Sequence, residues 1–283
     1  MTEKNAPGFW VTSVSDVTPE DVYIRGYALR SIMGELPFPA AVALLVRGKV
    51  PTPGEARMMD IILCSILDYA LQKAGTVAAR CVVSVNPQMA PGLAAAVLAA
   101  GEHALSPEDT GRFLIENYSA WKACGEPLEQ HATRFVEGLR AQKKRVPGFG
   151  HQVFRGVDPR AQKLREAAIA NGVWGPLGTW YETVHRAFRI AANKPDLVIN
   201  DVGMIACLLA EMGYTPQEMA GIAILSTIPG LIAHISEELA SGVRGRLVPD
   251  GSAHYARDRH DLAKDMKAAG WFQAPAGRTQ GPV

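Results

Sequence analysis

A glycine-rich loop at residues 146–151 has the composition of a ligand-binding turn. It reads Val-Pro-Gly-Phe-Gly-His, and its two glycines can adopt positive φ angles that bring a backbone close to a ligand. His151 closes the loop, where either ring nitrogen can take part in a hydrogen bond. A solvated loop that leads into a helix cap at Asp158 is the alternative interpretation. The surrounding basic residues form a cluster suited to phosphates or carboxylates: Lys143, Lys144, Arg145, Arg155 and Arg160.

The elements that must hold this loop are predicted mainly as helices. Thr52 and Thr215 are each followed by a proline, and by a glutamate three residues after the threonine, which is the pattern of a capped helix start. Apolar residues recur at helical spacing behind both threonines. Pro229 should kink the second of these helices or end it. Strand patterns are confined to residues 11–17 and 22–24, which predict a small hairpin.

Composition excludes several classes of protein. About half of the 283 residues are apolar, and 29 basic residues face 28 acidic ones, so no charge excess favours nucleic acid or an anionic membrane. The first residues lack an apolar signal core, and the longest apolar stretches are interrupted before they could span a bilayer. We therefore expect a soluble, cytoplasmic protein with four reduced cysteines. The histidine spacing predicts no metal, and no glycine pattern predicts a nicotinamide cofactor.

Residues 147–160 resemble the signature of the citrate synthase family. The segment reads Pro-Gly-Phe-Gly-His, then Val-Phe-Arg after one residue, then Asp-Pro-Arg after two more, which is similar to the family pattern in order and spacing. Weaker similarity extends from about residue 12 to residue 249. The short chain is more similar to citryl-CoA lyase, and to the citryl-CoA lyase module of ATP-citrate lyase, than to full-length citrate synthase.

The resemblance implies an all-α, two-lobed fold with a small N-terminal hairpin. We place the large lobe at residues 1–104 and 213–283, and the small lobe at residues 105–212. The tail from Ala274 is expected to be disordered. Sites in the family lie near a dimer interface, and small residues at 94–100 permit close helix contact, so we expect a homodimer or a higher homo-oligomer.

The same resemblance implies roles for the loop. His151 would donate a hydrogen bond to the carbonyl oxygen of a ketoacid, or to the matching hydroxyl of the condensed acid, where negative charge develops. Arg160 would hold a substrate carboxylate. Coenzyme A, as a thioester substrate, would lie over the loop and contact Gly148, Phe149, Gly150, Arg155 and Lys144.

Two of the family's catalytic positions are displaced in this sequence. In the family a histidine stabilises the enolate of the thioester, and its expected position lies within one residue of His103. The family's catalytic aspartate comes two residues after an asparagine, whereas here Asp201 follows Asn200 directly and Val202 stands in the expected position. Either Asp201 serves after a one-residue shift, or the base is absent. A cap at a helix start is another role open to Asp201.

Three positions that bind substrate carboxylates in the family carry other residues here. Tyr69 replaces a histidine, Thr227 replaces an arginine, and Gln152 replaces the arginine that follows the signature histidine in many lyases. Losing a charge-assisted partner costs a bound carboxylate roughly 1.5–3 kcal/mol. The sequence therefore predicts a substrate less acidic than citryl-CoA.

Three functions are consistent with these residues. The favoured one is a carbon–carbon lyase of citryl-CoA lyase type, which releases acetyl-CoA and a carbonyl compound. The second is Claisen condensation of the citrate synthase type, which forms the same bond in the opposite direction. The third is a non-catalytic CoA-binding relative, since so many site positions depart from the family pattern.

Overall fold

The computed structural model describes residues 10–68, 70–101, 104 and 107–271. The N-terminal part is a three-stranded antiparallel sheet in the order β1 (Ser15–Val17), β2 (Val22–Ile24) and β3 (Tyr27–Ala28). A turn at residues 18–21 joins the first two strands, where the backbone amide of Thr18 donates to the carbonyl of Asp21 over 2.9 Å. The predicted hairpin is confirmed, and a third short strand extends it.

Helices are the regular structure of the rest of the described chain, and turns and loops connect them. The prediction of an all-α fold is confirmed. In order they are α1 (Leu29–Ile32), α2 (Phe38–Arg47), α3 (Pro53–Ser65), α4 (Ala74–Val85), α5 (Met89–Leu98), α6 (Pro107–Cys124), α7 (Leu128–Ala141), α8 (Pro159–Ala170), α9 (Pro176–Ala191), α10 (Asp201–Glu211), α11 (Pro216–Ser241) and α12 (Leu262–Ala268).

The two threonine-based helix starts form as the sequence predicts. Thr52 caps α3 and Thr215 caps α11, and in both cases the glutamate side chain three residues later accepts from the threonine amide. Pro229 does not end α11. It has no amide hydrogen to donate, and the next amide, that of Gly230, donates to the carbonyl of Leu67 over 2.9 Å.

Residues 10–246 form one compact unit with two hydrophobic clusters. The larger cluster joins α3, α6, α7, α8, α9 and α10 with the first half of α11, around the fully buried side chains of Trp180 and Tyr181. The smaller cluster joins α4, α5 and the second half of α11 through Val83, Leu231 and Ile235. α11 therefore belongs to both clusters.

α11 is also the one helix, among the described residues, that is long and apolar enough to cross a membrane by length and composition alone. Central helices of soluble proteins pass the same test. Residues 247–271 belong to a second, smaller unit that contains α12. The division into large and small lobes stays a prediction, and the tail from Ala274 lies outside the described residues.

Candidate active site

The signature loop packs directly against the start of α10. Gly148 has a φ of +80°, and a Cβ atom at this position would lie 2.3 Å from the Tyr181 hydroxyl and 2.6 Å from the Cα atom of Gly203. Gly203 is constrained by the same contact from the other side. The glycine at position 148 is therefore required for contact with α10, where the sequence suggested contact with a ligand.

A short backbone bridge and an asparagine fix the loop further. Phe149 pairs with Ile199 in an isolated antiparallel bridge, and the amide of Gly150 donates to Val198 over 2.7 Å. The Asn200 side chain accepts from the amide of Gly203 as the cap of α10, and donates over 2.9 Å to the carbonyl of Gly150. One side chain thus caps the helix and holds the loop.

Aromatic packing anchors Phe149 inside the protein. Its ring stacks on Tyr181 at 5.3 Å and meets the edge of His185 at 4.8 Å between centroids. The Tyr181 hydroxyl donates to the carbonyl of Pro147 over 3.2 Å, and burial raises the pKa of this phenol well above its usual value, so it stays protonated. Phe149 therefore supports the loop from behind.

Arg160 is the centre of the polar cluster. Its guanidinium donates to both carboxylate oxygens of Asp158, over 3.1 and 2.8 Å, and to Asp201 over 2.6 Å. The side chain of Asp158 has no exposed surface, that of Asp201 is 10% exposed, and that of Arg160 is 36% exposed. Burial alone would raise the pKa of Asp158, but hydrogen bonds from the Arg160 side chain and backbone hold it below its usual value.

His151 lies between the loop backbone and Arg160. Its Nδ1 accepts from the amides of Val153 and Phe154 over 3.0 and 3.1 Å, and its Nε2 lies 3.1 Å from a guanidinium nitrogen of Arg160. Because Nδ1 accepts, the neutral ring carries its proton on Nε2, and the 3.1 Å approach of the Arg160 guanidinium is a contact between two donors, not a hydrogen bond. That N–H can donate to a substrate oxygen once the neighbouring guanidinium turns aside.

A cleft of about 380 Å³ opens beside this cluster. One wall is the signature loop, with Gly150, His151, Phe154 and Arg155, and the other wall is the segment 193–198 that precedes α10. The lining of this open space includes His151, the cations Arg155 and Lys194, and one acid, Asp196. Such a lining suits a ligand with phosphates at one end and a polar reacting group at the other.

The predicted CoA-contact residues fall into two groups. Gly150 and Arg155 line the cleft, whereas Gly148 and Phe149 hold the loop from its inner side. Arg155 donates to the carbonyls of His151, Phe154 and Gln152, over 2.6, 2.9 and 3.3 Å, and is otherwise exposed. Lys144 is exposed in the turn that follows α7.

Asp201 is the first residue of α10, and Asn200 is the cap, so the capping role is taken by the asparagine. Asp201 is buried and paired with Arg160, and Val202 beside it is half-buried. Whether Asp201 acts as the acid or base stays a prediction. His103 and Tyr69 lie outside the described residues.

The remaining substrate positions are not drawn together by the described contacts. Gln152 is exposed in the signature loop, next to His151. Thr227 is buried in α11, where its hydroxyl donates to the carbonyl of Ile224 over 2.8 Å. A second groove of about 360 Å³ reaches Arg160 from the end of α3 and includes Cys64, Ser65 and Lys163. Sequence patterns indicated neither this groove nor the Asn200, Gly203 and Tyr181 contacts.

The structure combines a helical fold with a Gly-x-Gly-His loop that packs on a helix start, an Asp–Arg–Asp cluster and a cleft. The same fold is found in known proteins. A profile described as citrate synthase, C-terminal domain, matches residues 50–248. The chain belongs to the citrate synthase family.

Solved structures show which proteins of this fold the chain is similar to. Citryl-CoA lyase from Hydrogenobacter thermophilus is 31% identical with a TM-score of 0.84, and the match covers 92% of this chain and all of that one. ATP citrate lyase from Methanothrix soehngenii, solved with citrate and coenzyme A, is 21% identical with a TM-score of 0.76 over 90% of this chain and 43% of that one. The second likeness shows the fold alone.

Curated relatives are longer citrate synthases. Citrate synthase 2 of Bacillus subtilis is 26% identical over 195 residues, which is 68% of this chain and 50% of the relative. The glyoxysomal citrate synthase of Cucurbita maxima is 28% identical over 202 residues, which is 68% of this chain and 37% of the relative. The chain thus spans about half or less of the length of these relatives.

Proposed function

We propose that the protein is a carbon–carbon lyase of citryl-CoA lyase type, which cleaves a β-hydroxyacyl-CoA into acetyl-CoA and a carbonyl compound. The observation that carries this proposal is the full-length match to a citryl-CoA lyase, at 31% identity. The cleft between the signature loop and residues 193–198 is the proposed site of the thioester, with Arg155 and Lys194 near its phosphates. ATP citrate lyases of this fold have been solved with coenzyme A or with citryl-CoA, which supports a CoA thioester as the ligand.

The reaction can be assigned to groups of the cluster. The substrate hydroxyl passes its proton to solvent water in the open cleft as its oxygen becomes a carbonyl, and the adjacent carbon–carbon bond breaks. The electron pair of that bond forms the enolate of acetyl-CoA, which takes up a proton at carbon. His151 would lie at the hydroxyl oxygen, because its Nε2 is free of backbone contacts while Nδ1 is fixed by the loop.

Asp201 is the proposed proton donor to the enolate carbon, with one condition. Its carboxylate accepts a 2.6 Å hydrogen bond from Arg160 and is therefore directed at the guanidinium instead of at a substrate carbon. The pair must therefore separate when the thioester binds. If it stays closed, the protein binds CoA thioesters without turnover, which is the second candidate function, and the pairing of Asp201 is the observation that favours it.

The charge of the cluster supports a substrate less acidic than citryl-CoA. One guanidinium, Arg160, faces two carboxylates, so these three groups together carry a formal charge of −1. Three of the five Arg160 N–H groups already donate to Asp158 and Asp201. The two free carboxylates of citryl-CoA would meet net repulsion and few free donors.

A panel of CoA thioesters tests the proposal. Citryl-CoA, monoacid β-hydroxyacyl-CoAs and uncharged β-hydroxyacyl-CoAs are incubated with the protein, and free acetyl-CoA is measured beside calorimetric binding of CoA. Condensation is assayed in parallel with acetyl-CoA and the matching carbonyl compounds, since citrate synthase-type activity is the reverse direction. We expect cleavage of the less acidic thioesters and its loss by roughly 10²–10³-fold in His151→Gln.

Two results would contradict the proposal in different ways. CoA binding without cleavage or condensation of any thioester would leave the non-catalytic relative as the function. Cleavage of citryl-CoA near the enzymatic median of roughly 10 per second would show that other residues hold its carboxylates.

We also propose that the protein is at least a homodimer. Close helix contact is permitted by the small residues of α5, and the half-exposed Val97 and fully exposed Leu98 leave apolar surface on that helix. Sedimentation at micromolar concentration should give about twice the chain mass of 30.4 kDa. A monomer mass would reject this.

A further inference from the structure

The turn between α6 and α7 gathers three side chains that lie away from the signature loop in sequence. Cys124 is the last residue of α6, Glu126 lies in the turn, and His131 lies in the first part of α7. Their potential ligand atoms, a sulfur, a carboxylate oxygen and a ring nitrogen, all lie within 4.8 Å of one another. The turn is closed by Gly125 at a φ of +65°, which brings the two helix ends together.

His131 is buried without a hydrogen bond. Its side chain is 8% exposed, and neither ring nitrogen has a hydrogen-bond partner. Aromatic rings surround it: Phe135 stacks on the imidazole at 5.6 Å, and Trp121 and Trp180 lie at 6.3 and 6.5 Å. Leaving a buried polar group unpaired costs about 1–3 kcal/mol, so the orientation of this ring towards Glu126 and Cys124 calls for a partner.

The spacing fits a metal ion better than a direct hydrogen bond. Nδ1 of His131 lies 3.4 Å from Oε2 of Glu126, which is long for a hydrogen bond, and the geometry forms none. With metal–nitrogen and metal–oxygen bonds of about 2.0–2.2 Å, two ligand atoms of a tetrahedral zinc site are about 3.4 Å apart. The observed distance is that of such an edge.

We propose that Cys124, Glu126 and His131 form a binding site for a zinc-type divalent ion. A thiolate, an imidazole and a carboxylate are the ligand types that Zn²⁺ takes. Mg²⁺ and Ca²⁺ prefer oxygen ligands alone, so this set does not suit them. Three protein ligands leave a fourth position for water. The ion would join the end of α6 to the start of α7. It would take no part in the proposed thioester chemistry.

Arg134 holds the carboxylate of Glu126 in place at the proposed site. Arg134 donates to this carboxylate from the solvent side and acts as an outer partner that orients it.

No metal was expected from the sequence, because the histidines are far apart along the chain. The proposed site needs only one histidine, since the helix turn supplies a cysteine seven residues before it and a glutamate five residues before it. These spacings match no motif, and only the fold of the turn brings the three side chains together.

Cobalt(II) is the probe for the test, because a thiolate ligand gives an intense charge-transfer band and a tetrahedral site gives strong visible absorption. The full-length protein, treated with a chelator and kept reduced, is titrated with Co²⁺ and then with Zn²⁺ as competitor. We expect one Co²⁺ per chain with both spectral features, displaced by Zn²⁺. The melting temperature should rise with Zn²⁺.

Matched variants decide the ligands. Cys124→Ser removes the thiolate at an exposed position and should abolish the charge-transfer band, while Cys81→Ser, another exposed free thiol, should leave it unchanged. Glu126→Gln should weaken Co²⁺ binding by more than the roughly 10–100-fold typical of losing an outer partner. His131→Gln should do the same, and circular dichroism checks that this buried variant is folded.

Several outcomes would overturn the proposal. They are the absence of saturable Co²⁺ binding by the wild-type chain, an unchanged spectrum in Cys124→Ser, or loss of the band in Cys81→Ser. Equal affinity of wild-type protein and folded Glu126→Gln would also reject the carboxylate as a ligand. None of these measurements depends on enzymatic activity, so the result is independent of the proposed lyase function.

Discussion

The two sides of the candidate active site differ in how their polar groups are used. On the signature side, Asn200 joins the loop to α10 and Arg160 joins α8 to α10 through hydrogen bonds. On the side of α3 and α11, the hydroxyls of Ser226 and Thr227 donate to backbone carbonyls, at 2.6 and 2.8 Å.

This difference separates two functions of one site. The signature side carries the residue types that the resemblance to the family predicts for the thioester and the carbonyl oxygen. On the other side the resemblance predicts a cation that this chain does not have at position 227, and the hydroxyls of Ser226 and Thr227 are satisfied by the protein itself. Selection of the substrate and binding of the thioester can therefore change independently, and the variants below test that separation.

The largest expected effect is on the contact that supports the signature side. Gly148→Ala would place a Cβ atom against the Tyr181 hydroxyl and Gly203, at a backbone angle that L side chains disfavour. Overpacking and strain together should lower the free energy of unfolding by about 2–5 kcal/mol. Denaturant titration measures the loss. Gly172→Ala, with a φ of +68° but open space around it, isolates the strain and should cost less.

The second prediction concerns the buried acid of the cluster. Asp158→Asn keeps an acceptor for the α8 amide but removes the charge that pairs with Arg160, and should cost about 2–3 kcal/mol at pH 7. Because folding lowers the pKa of Asp158, its stabilisation is present above the unfolded value of about 3.9 and is lost as the pH falls below that value.

Denaturant titrations between pH 7 and pH 3 check the second prediction. The wild-type protein should lose stability in the acid range more steeply than Asp158→Asn, which has no proton to bind at this position. Asp16→Asn, at an exposed residue of β1, is the control and should follow the wild-type curve. A parallel loss in wild type and Asp158→Asn would show that the pair with Arg160 contributes little.

The third prediction tests whether a cation restores binding of an acidic substrate. Gln152→Arg adds a guanidinium at an exposed position beside His151, where the resemblance to the family's lyases predicts one. The measured quantity is kcat/KM for citryl-CoA divided by kcat/KM for a less acidic thioester. This ratio should rise about tenfold, because one charge-assisted hydrogen bond of roughly 1.4 kcal/mol is gained. Val153→Arg, one residue further and also exposed, is the control. An equal gain in both variants would indicate a general charge effect.

The smallest expected effect is on the thioester itself. Arg155→Ala should weaken CoA binding several-fold and reduce its dependence on salt, because a phosphate contact of about 1 kcal/mol is lost. Calorimetry at two salt concentrations measures both changes. Lys144→Ala, a cation outside the cleft lining, should change affinity less. Unchanged binding in Arg155→Ala would place the phosphates elsewhere on the protein.

The sequence by itself determined the helical class, the two threonine-capped helix starts, the N-terminal hairpin and the residues of the signature loop. These features depend on residues close together in the chain, such as a threonine, a proline and a glutamate within four positions, so local patterns predict them. The family membership followed from the same kind of evidence, since the order and spacing of residues 147–160 are local as well.

Only the tertiary structure decided what these residues contact. Gly148 looked like a ligand-binding glycine, but its neighbour is Gly203, 55 positions away, and the small size of both residues permits the contact. Asp201 could be a base or a cap in the sequence, and the fold pairs it with Arg160 because the start of α8 is brought to the start of α10. Cys124, Glu126 and His131 matched no motif, and they meet because one turn reverses the chain between two helices.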